Sequence, residues 1–182
     1  MRGAVRLSID RQLLPLFPGL RLGGFVAHLD RMRGSMAPFD VMRLHHAVAL
    51  RHVIPLGAFD MDAMPHPAIT LRRARPRTDW FVPLGACPTD VPLGGDAIVL
   101  AAGSIVLGWG LRLRESRQTC LCTRTRRAAF VSETVSAAQA DAAVRALEEL
   151  RRRLRDAGAV VGQAAFVDAA QPITDLTCAP VA

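Results

Sequence analysis

Several side chains in this 182-residue chain are of types that can do chemistry. Glu133 closes the apolar run AAFVSE. An acid there is either a pocket ligand that holds substrate or water, or a strand-end residue in water. His45 and His46 are adjacent within a stretch with helical spacing, so one of them faces inward. His46 is the candidate general base, because an imidazole titrates near neutral pH. The competing reading is a buried neutral ring. Asp60 and Asp62 either wall a polar pocket or satisfy their own turn, as aspartate often does. Arg112 and Arg114 fall on one face of a strand. They either clamp a carboxylate or phosphate or pair with acids on a sheet surface. Ser116 and Thr119 are pocket donors or turn hydroxyls, and His66, between two prolines, reads as an exposed loop residue. No Ser-His-Asp spacing promotes a serine to nucleophile.

The four cysteines, Cys87, Cys120, Cys122 and Cys178, do not form the framework of a disulfide-stapled domain. Cys120 and Cys122 fall on one face of an expected strand. Zinc would need two further ligands, and no Cys-x-x-Cys or His-x-x-x-His pair supplies them. Neither a metal nor a cofactor is expected.

The elements that must position these groups follow from periodicity and breakers. Val5, Leu7 and Ile9 alternate with polar residues, giving a half-buried strand. Leu20 to Leu29 reads as a second strand, with Gly23-Gly24 a bulge or a close backbone approach. Asp40 caps a helix to about His52, with Val41, Leu44, Val48 and then Val53 on its apolar face, and Pro55 ends it. Residues 55–67 read as a loop. Strands are expected over 68–73, 80–83, 97–101, 105–114 and 128–133, the third and fourth as a hairpin through Gly103-Ser104. Ser136 and Gln139 make a capping box for a second helix, which Gly158 terminates. Residues 160–167 suggest a last strand. One α+β domain over 1–168 with a C-terminal tail over 169–182 accounts for this order.

The formal net charge is +7, carried entirely by arginine, since lysine is absent. That balance suits a polyanionic partner, although arginine in place of lysine is also what GC-rich coding gives. Arg151, Arg152 and Arg155 crowd the end of the second helix, as a phosphate contact or as a solvated face matched to the helix dipole. Aromatic residues make up 5% of the chain, too few for a base-stacking platform. No apolar run reaches the roughly 18 residues of a membrane span, and the start has no signal-peptide pattern. A cytoplasmic protein without membrane attachment is expected. Its oligomeric state is not legible.

Two ordered stretches, VALRHVIPLGAFDMDAM and WGLRLRESRQTCLCTRTRRAAFVSE, resemble the B-three/four editing module of the phenylalanyl-tRNA synthetase beta chain, which also occurs as free-standing proteins. The matching positions are Pro55, Gly57, Asp60, Asp62, Arg114, Ser116, Thr119, Thr125 and Glu133. The resemblance implies a three-layer β/β/α domain with a pocket that hydrolyses a wrongly charged aminoacyl-tRNA ester, using neither metal nor covalent nucleophile. Arg43 and His46 stand where the family has an Asp-x-x-Asn pair. Arg112 replaces an Asn, and Cys122 replaces a Thr. These changes alter the charge and hydrogen bonding of the implied pocket. Substrate binding falls to Arg43, Asp60, Asp62, Arg112, Arg114, Ser116, Thr119 and Thr125 on this reading, and catalysis to Glu133 and His46. The leading expectation is an aminoacyl-tRNA deacylase. Its rivals are a biosynthetic enzyme acting on a small or carrier-bound substrate, and a non-catalytic tRNA-binding module.

Overall fold

Alternation in AVRLSI does what period two dictates: Val5, Leu7 and Ile9 are buried while Ala4 and Arg6 are exposed. The computed structural model describes residues 4–30, 32, 38–85, 90–109, 111 and 114–178. In chain order its elements are β1 (Ala4–Ile9), β2 (Arg21–His28), α1 (Pro38–His52), β3 (Gly57–Asp60) and β4 (Ala68–Arg73). There follow β5 (Trp80–Phe81), β6 (Val91–Pro92), β7 (Ile98–Ala102), β8 (Ile105–Trp109) and β9 (Arg114–Glu115). The chain continues with β10 (Arg127–Thr134), α2 (Ala137–Asp156), β11 (Val160–Val161), β12 (Ala165–Val167) and β13 (Ile173–Thr177).

One sheet has the order β13-β1-β4-β7-β8-β9 and the other β11-β2-β10-β3, with β12 also pairing β2. Between the sheets lies a core that includes Leu7, Leu22, Ile69, Leu100, Ala129 and Val131. A second core joins the other face of β2 and β10, through Phe25, Ala128 and Phe130, to Val41 and Val48 of α1 and Leu147 and Leu150 of α2. The result is the expected three-layer β/β/α arrangement. Strand β10 is central: all its residues but Arg127 are buried, because one face meets the other sheet and the other meets the helices.

Gly23 and Gly24 are a close approach and not a bulge. Their pairing with β10 runs unbroken from Arg21 to His28. A Cβ on Gly23 would lie 2.3 Å from the Phe166 ring, and one on Gly24 2.6 Å from the Phe130 carbonyl oxygen.

Both helices end in the same motif with different residues. At α2, Gly158 takes φ +93° and the Ala159 N–H donates to Leu154 O at 3.0 Å. At α1, Val53 takes φ +54° and the Ile54 N–H donates to Ala49 O at 3.1 Å. A β-branched residue in the left-handed region is strained.

Several expectations are corrected. Asp40 lies in the first turn of α1, which begins at Pro38, and is not its cap, and Val53 is 84% exposed and not on its apolar face. The expected single strand over 105–114 is instead β8 and β9, antiparallel partners of each other, so the face expected to carry Arg112 and Arg114 does not exist as one strand. Residues 57–60, inside the expected loop, form β3, wholly buried and paired with β10. Apolar GAFD is too short to show a period, so only pairing reveals it. Cys120 and Cys122 follow a 3₁₀ turn (Arg117–Thr119) and lie in no strand. The expected strand over 160–167 divides into β11 and β12. Within the expected tail, Ile173–Thr177 pairs antiparallel with β1.

Candidate functional site

Glu133 lies one residue from the end of β10, on the face that alternation turns toward the other sheet with Ala129 and Val131. It is 2% exposed, and its Oε2 has no hydrogen-bond partner among the described residues. Burial pushes its carboxyl up to about 8, because removal from water disfavours the charged form. Glu133 is among the residues that line a cleft of about 470 Å³. Ala49, Leu50, Val53, Ile54 and Pro55 at the α1 end form one wall; Leu111, Thr134, Val135 and Gln139 complete the lining. Leu50 and Val53 are 79% and 84% exposed at its rim. The site is therefore an apolar slot with one acid in it, a form that suits a small ligand.

The α2 capping box forms part of that lining. Ser136 Oγ accepts from the Gln139 N–H at 3.3 Å, and Gln139 Oε1 accepts from the Val135 N–H at 3.1 Å.

Arg43 and His46 are exposed. With Leu50 they make a stripe at helical spacing along α1, and Val53 follows just past the helix end. This stripe leads to the cleft, but Arg43 and His46 are not among the lining residues. His46 as the inward partner is thus corrected: the buried ring is His45, 1% exposed, which shares a helical face with Val41 and Val48. His45 Nε2 donates to Leu56 O at 2.6 Å. Burial lowers its pKa, so the ring is held neutral. His46 lies against His45, ring centroids 4.5 Å apart, and partial burial followed by the neighbouring ring lowers its pKa too.

Glu115, a residue that the motif reading passed over, accepts from the Ala58 N–H at 2.7 Å and lies 3.6 Å from His45 Nε2. Burial raises its pKa. It ties β9 of one sheet to the edge of β3 in the other. No sequence signal marked it, since its partner is a backbone group.

Of the remaining residues of the expected pocket, Asp60, Asp62, Ser116 and Thr125 hold the frame. Asp60 Oδ1 accepts from the Asp62 N–H at 2.9 Å, and Asp60 Oδ2 accepts from Thr125 Oγ1 at 2.7 Å. Asp62 pairs with Arg127 at 2.6 Å. Ser116 Oγ accepts from the Gln118 N–H at 3.3 Å and caps the 3₁₀ turn. Thr119 is buried, its hydroxyl without a partner among the described residues. Arg114 is exposed, its guanidinium 5.9 Å from the Trp109 ring centre. Arg112 lies outside the described residues, as does Cys87. None of Asp60, Asp62, Arg114, Ser116, Thr119 and Thr125 lines the Glu133 cleft.

Arg151 is corrected as an RNA contact. It is 3% exposed, its Nε donates to Gly162 O at 2.7 Å, and it pairs with Glu148 at 2.6 Å. The guanidinium thus fastens the segment after α2 back onto the helix. Arg152 and Arg155 are exposed, with Arg152 3.6 Å from Asp156. Among the described residues no group of three or more His, Cys, Asp or Glu side chains converges as metal ligands. Among the same residues no helix is long and apolar enough to cross a membrane.

Neither the protein families nor the curated proteins compared with the chain give a match. Among solved structures it is similar to an N-terminal fragment of the phenylalanyl-tRNA synthetase beta-subunit from Pyrococcus horikoshii, with a TM-score of 0.66 and 17% sequence identity. The alignment covers 86% of this chain and 50% of that one, so the chain spans half the fragment's length. At this identity the likeness is one of fold.

Proposed function

We propose that the chain is an aminoacyl-tRNA deacylase acting at the Glu133 cleft, a relative of the editing module of the synthetase beta chain. The observation that carries this reading is the buried Glu133 carboxyl, unpartnered at Oε2, inside an apolar slot. Support also comes from the fold shared with the synthetase fragment.

An aminoacyl ester is already activated, so its hydrolysis needs chiefly one oriented water. Ionised Glu133 takes a proton from that water as the oxygen attacks the ester carbonyl. The carbon–oxygen bond to the ribose then breaks, and the ribose oxygen receives the proton. Free amino acid and tRNA result. The apolar walls exclude other water and accept an apolar amino-acid side chain.

The test is a panel of charged tRNAs incubated with wild-type protein and with Glu133→Gln. Wild type should release amino acid from at least one, and Glu133→Gln should lower kcat by roughly 10²-fold or more. Because the carboxylate is the working form and its pKa is about 8, the corrected rate should rise from pH 6 and level above about pH 8. Full activity in Glu133→Gln would refute the assignment.

A second reading is a biosynthetic enzyme that uses the same cleft on a small or carrier-bound ester. It is favoured by Arg151, which turns inward and leaves Arg152 and Arg155 as the exposed arginines of the trio. Hydrolysis of simple amino-acid esters with no loss of any charged tRNA would select it.

A further inference from the structure

We infer that Gln139 is a catalytic residue of the Glu133 cleft, its side-chain amide donating to the oxyanion that forms as the ester is attacked. This inference rests on the ester-hydrolase reading above. The backbone N–H of Val135 lies 3.1 Å from the amide of Gln139. An N–H can pair only with the amide oxygen, so this contact fixes which end of the amide is which. Oε1 is thereby engaged as a helix cap, and the two Nε2 protons point the other way. No described residue accepts a hydrogen bond from Nε2, and Gln139 lines the same cleft as Glu133.

The two residues are chemically complementary. Glu133 is an acceptor for the proton of water, and Gln139 is a donor for the oxygen that gains charge. Oxyanion stabilisation requires a donor held in place before the reaction. The Val135 contact supplies that hold, with Ser136 Oγ fixing the backbone of Gln139 at 3.3 Å. Gln139 also sits in the first turn of the 20-residue helix α2, whose positive end favours developing negative charge. In a capping box either Glu or Gln serves, so capping alone gives no reason for an amide. The proposed role does, because Glu offers no N–H.

The experiment compares Gln139→Glu, Gln139→Ala and wild type by thermal unfolding and by steady-state hydrolysis of the charged tRNAs that wild type cleaves. Gln139→Glu keeps the cap and should keep Tm, yet lose roughly 10²- to 10³-fold in kcat with little change in KM, the cost of removing one oxyanion donor. Gln139→Ala loses both the cap and the donor and should fall in Tm as well as in kcat. An active Gln139→Glu overturns the inference and leaves the function standing. Wild type inactive on every charged tRNA and amino-acid ester overturns both, so the two failures are distinguishable.

Discussion

Replacing Glu133 by Gln should make the protein more stable at alkaline pH than wild type, by an amount that grows with pH. The carboxyl is 2% exposed, and burial raises its pKa from 4.5 to about 8. For an acid whose folded pKa lies above its unfolded value, the folded state holds a proton that the unfolded chain has released. Stability is therefore complete below about pH 4.5, declines between pH 4.5 and about 8, and is level above. A shift of roughly 3.5 units at about 1.4 kcal/mol each gives a limit of about 5 kcal/mol. Some 2 kcal/mol of that is lost by pH 6 and most of the rest by pH 9. Water drawn in through the open cleft reduces the measured value. Glutamine does not titrate, so any cost of burying its amide is constant. The assay is urea unfolding of both proteins at pH 5, 7 and 9. His45 and Glu115 titrate equally in both and cancel from the difference. A difference that stays flat within about 0.5 kcal/mol from pH 5 to 9 would refute the burial of this acid, and with it the carboxylate mechanism.

Other outcomes follow from single side chains. Val53→Gly should raise stability by roughly 0.5–1 kcal/mol in thermal unfolding, because it relieves the left-handed strain at a residue 84% exposed. His45 is held neutral by burial, so the stability it contributes is full above about pH 6.5 and declines as pH falls below it. His45→Leu should flatten that acid limb in urea titrations at pH 5 and 7, while losing the bond to Leu56. Arg151→Ala should destabilise by roughly 2–4 kcal/mol, through lost buried hydrogen bonds, whereas Arg155→Ala should stay within about 0.5 kcal/mol of wild type. If tRNA is the substrate, Arg155→Ala should instead lessen the salt dependence of its binding.

The layers were legible because β1 and α2 carry strong periods that bury one face each, while β2 and β10 are continuous apolar runs buried on both faces. Strand β3 was not, since GAFD is four residues long, wholly buried, and shows its nature only through its partner β10. The candidate site divides along the same line. Glu133 stood out because an acid closing an apolar run breaks the local rule. His45 was present in the helical spacing, on one face with Val41 and Val48. The doubled histidine drew attention to its neighbour instead. Asp60, Asp62 and Thr125 looked like pocket residues, yet they hold one another and the turn that carries them. Their types and spacing are equally those of a frame. Gln139 makes the point most sharply. The sequence shows it as a cap, and the cap is real, but capping explains only its oxygen. The idle half of its amide becomes meaningful only when the α1 end and β10 bring an acid and an apolar wall against it. That juxtaposition is tertiary, so no reading of α2 alone contains it.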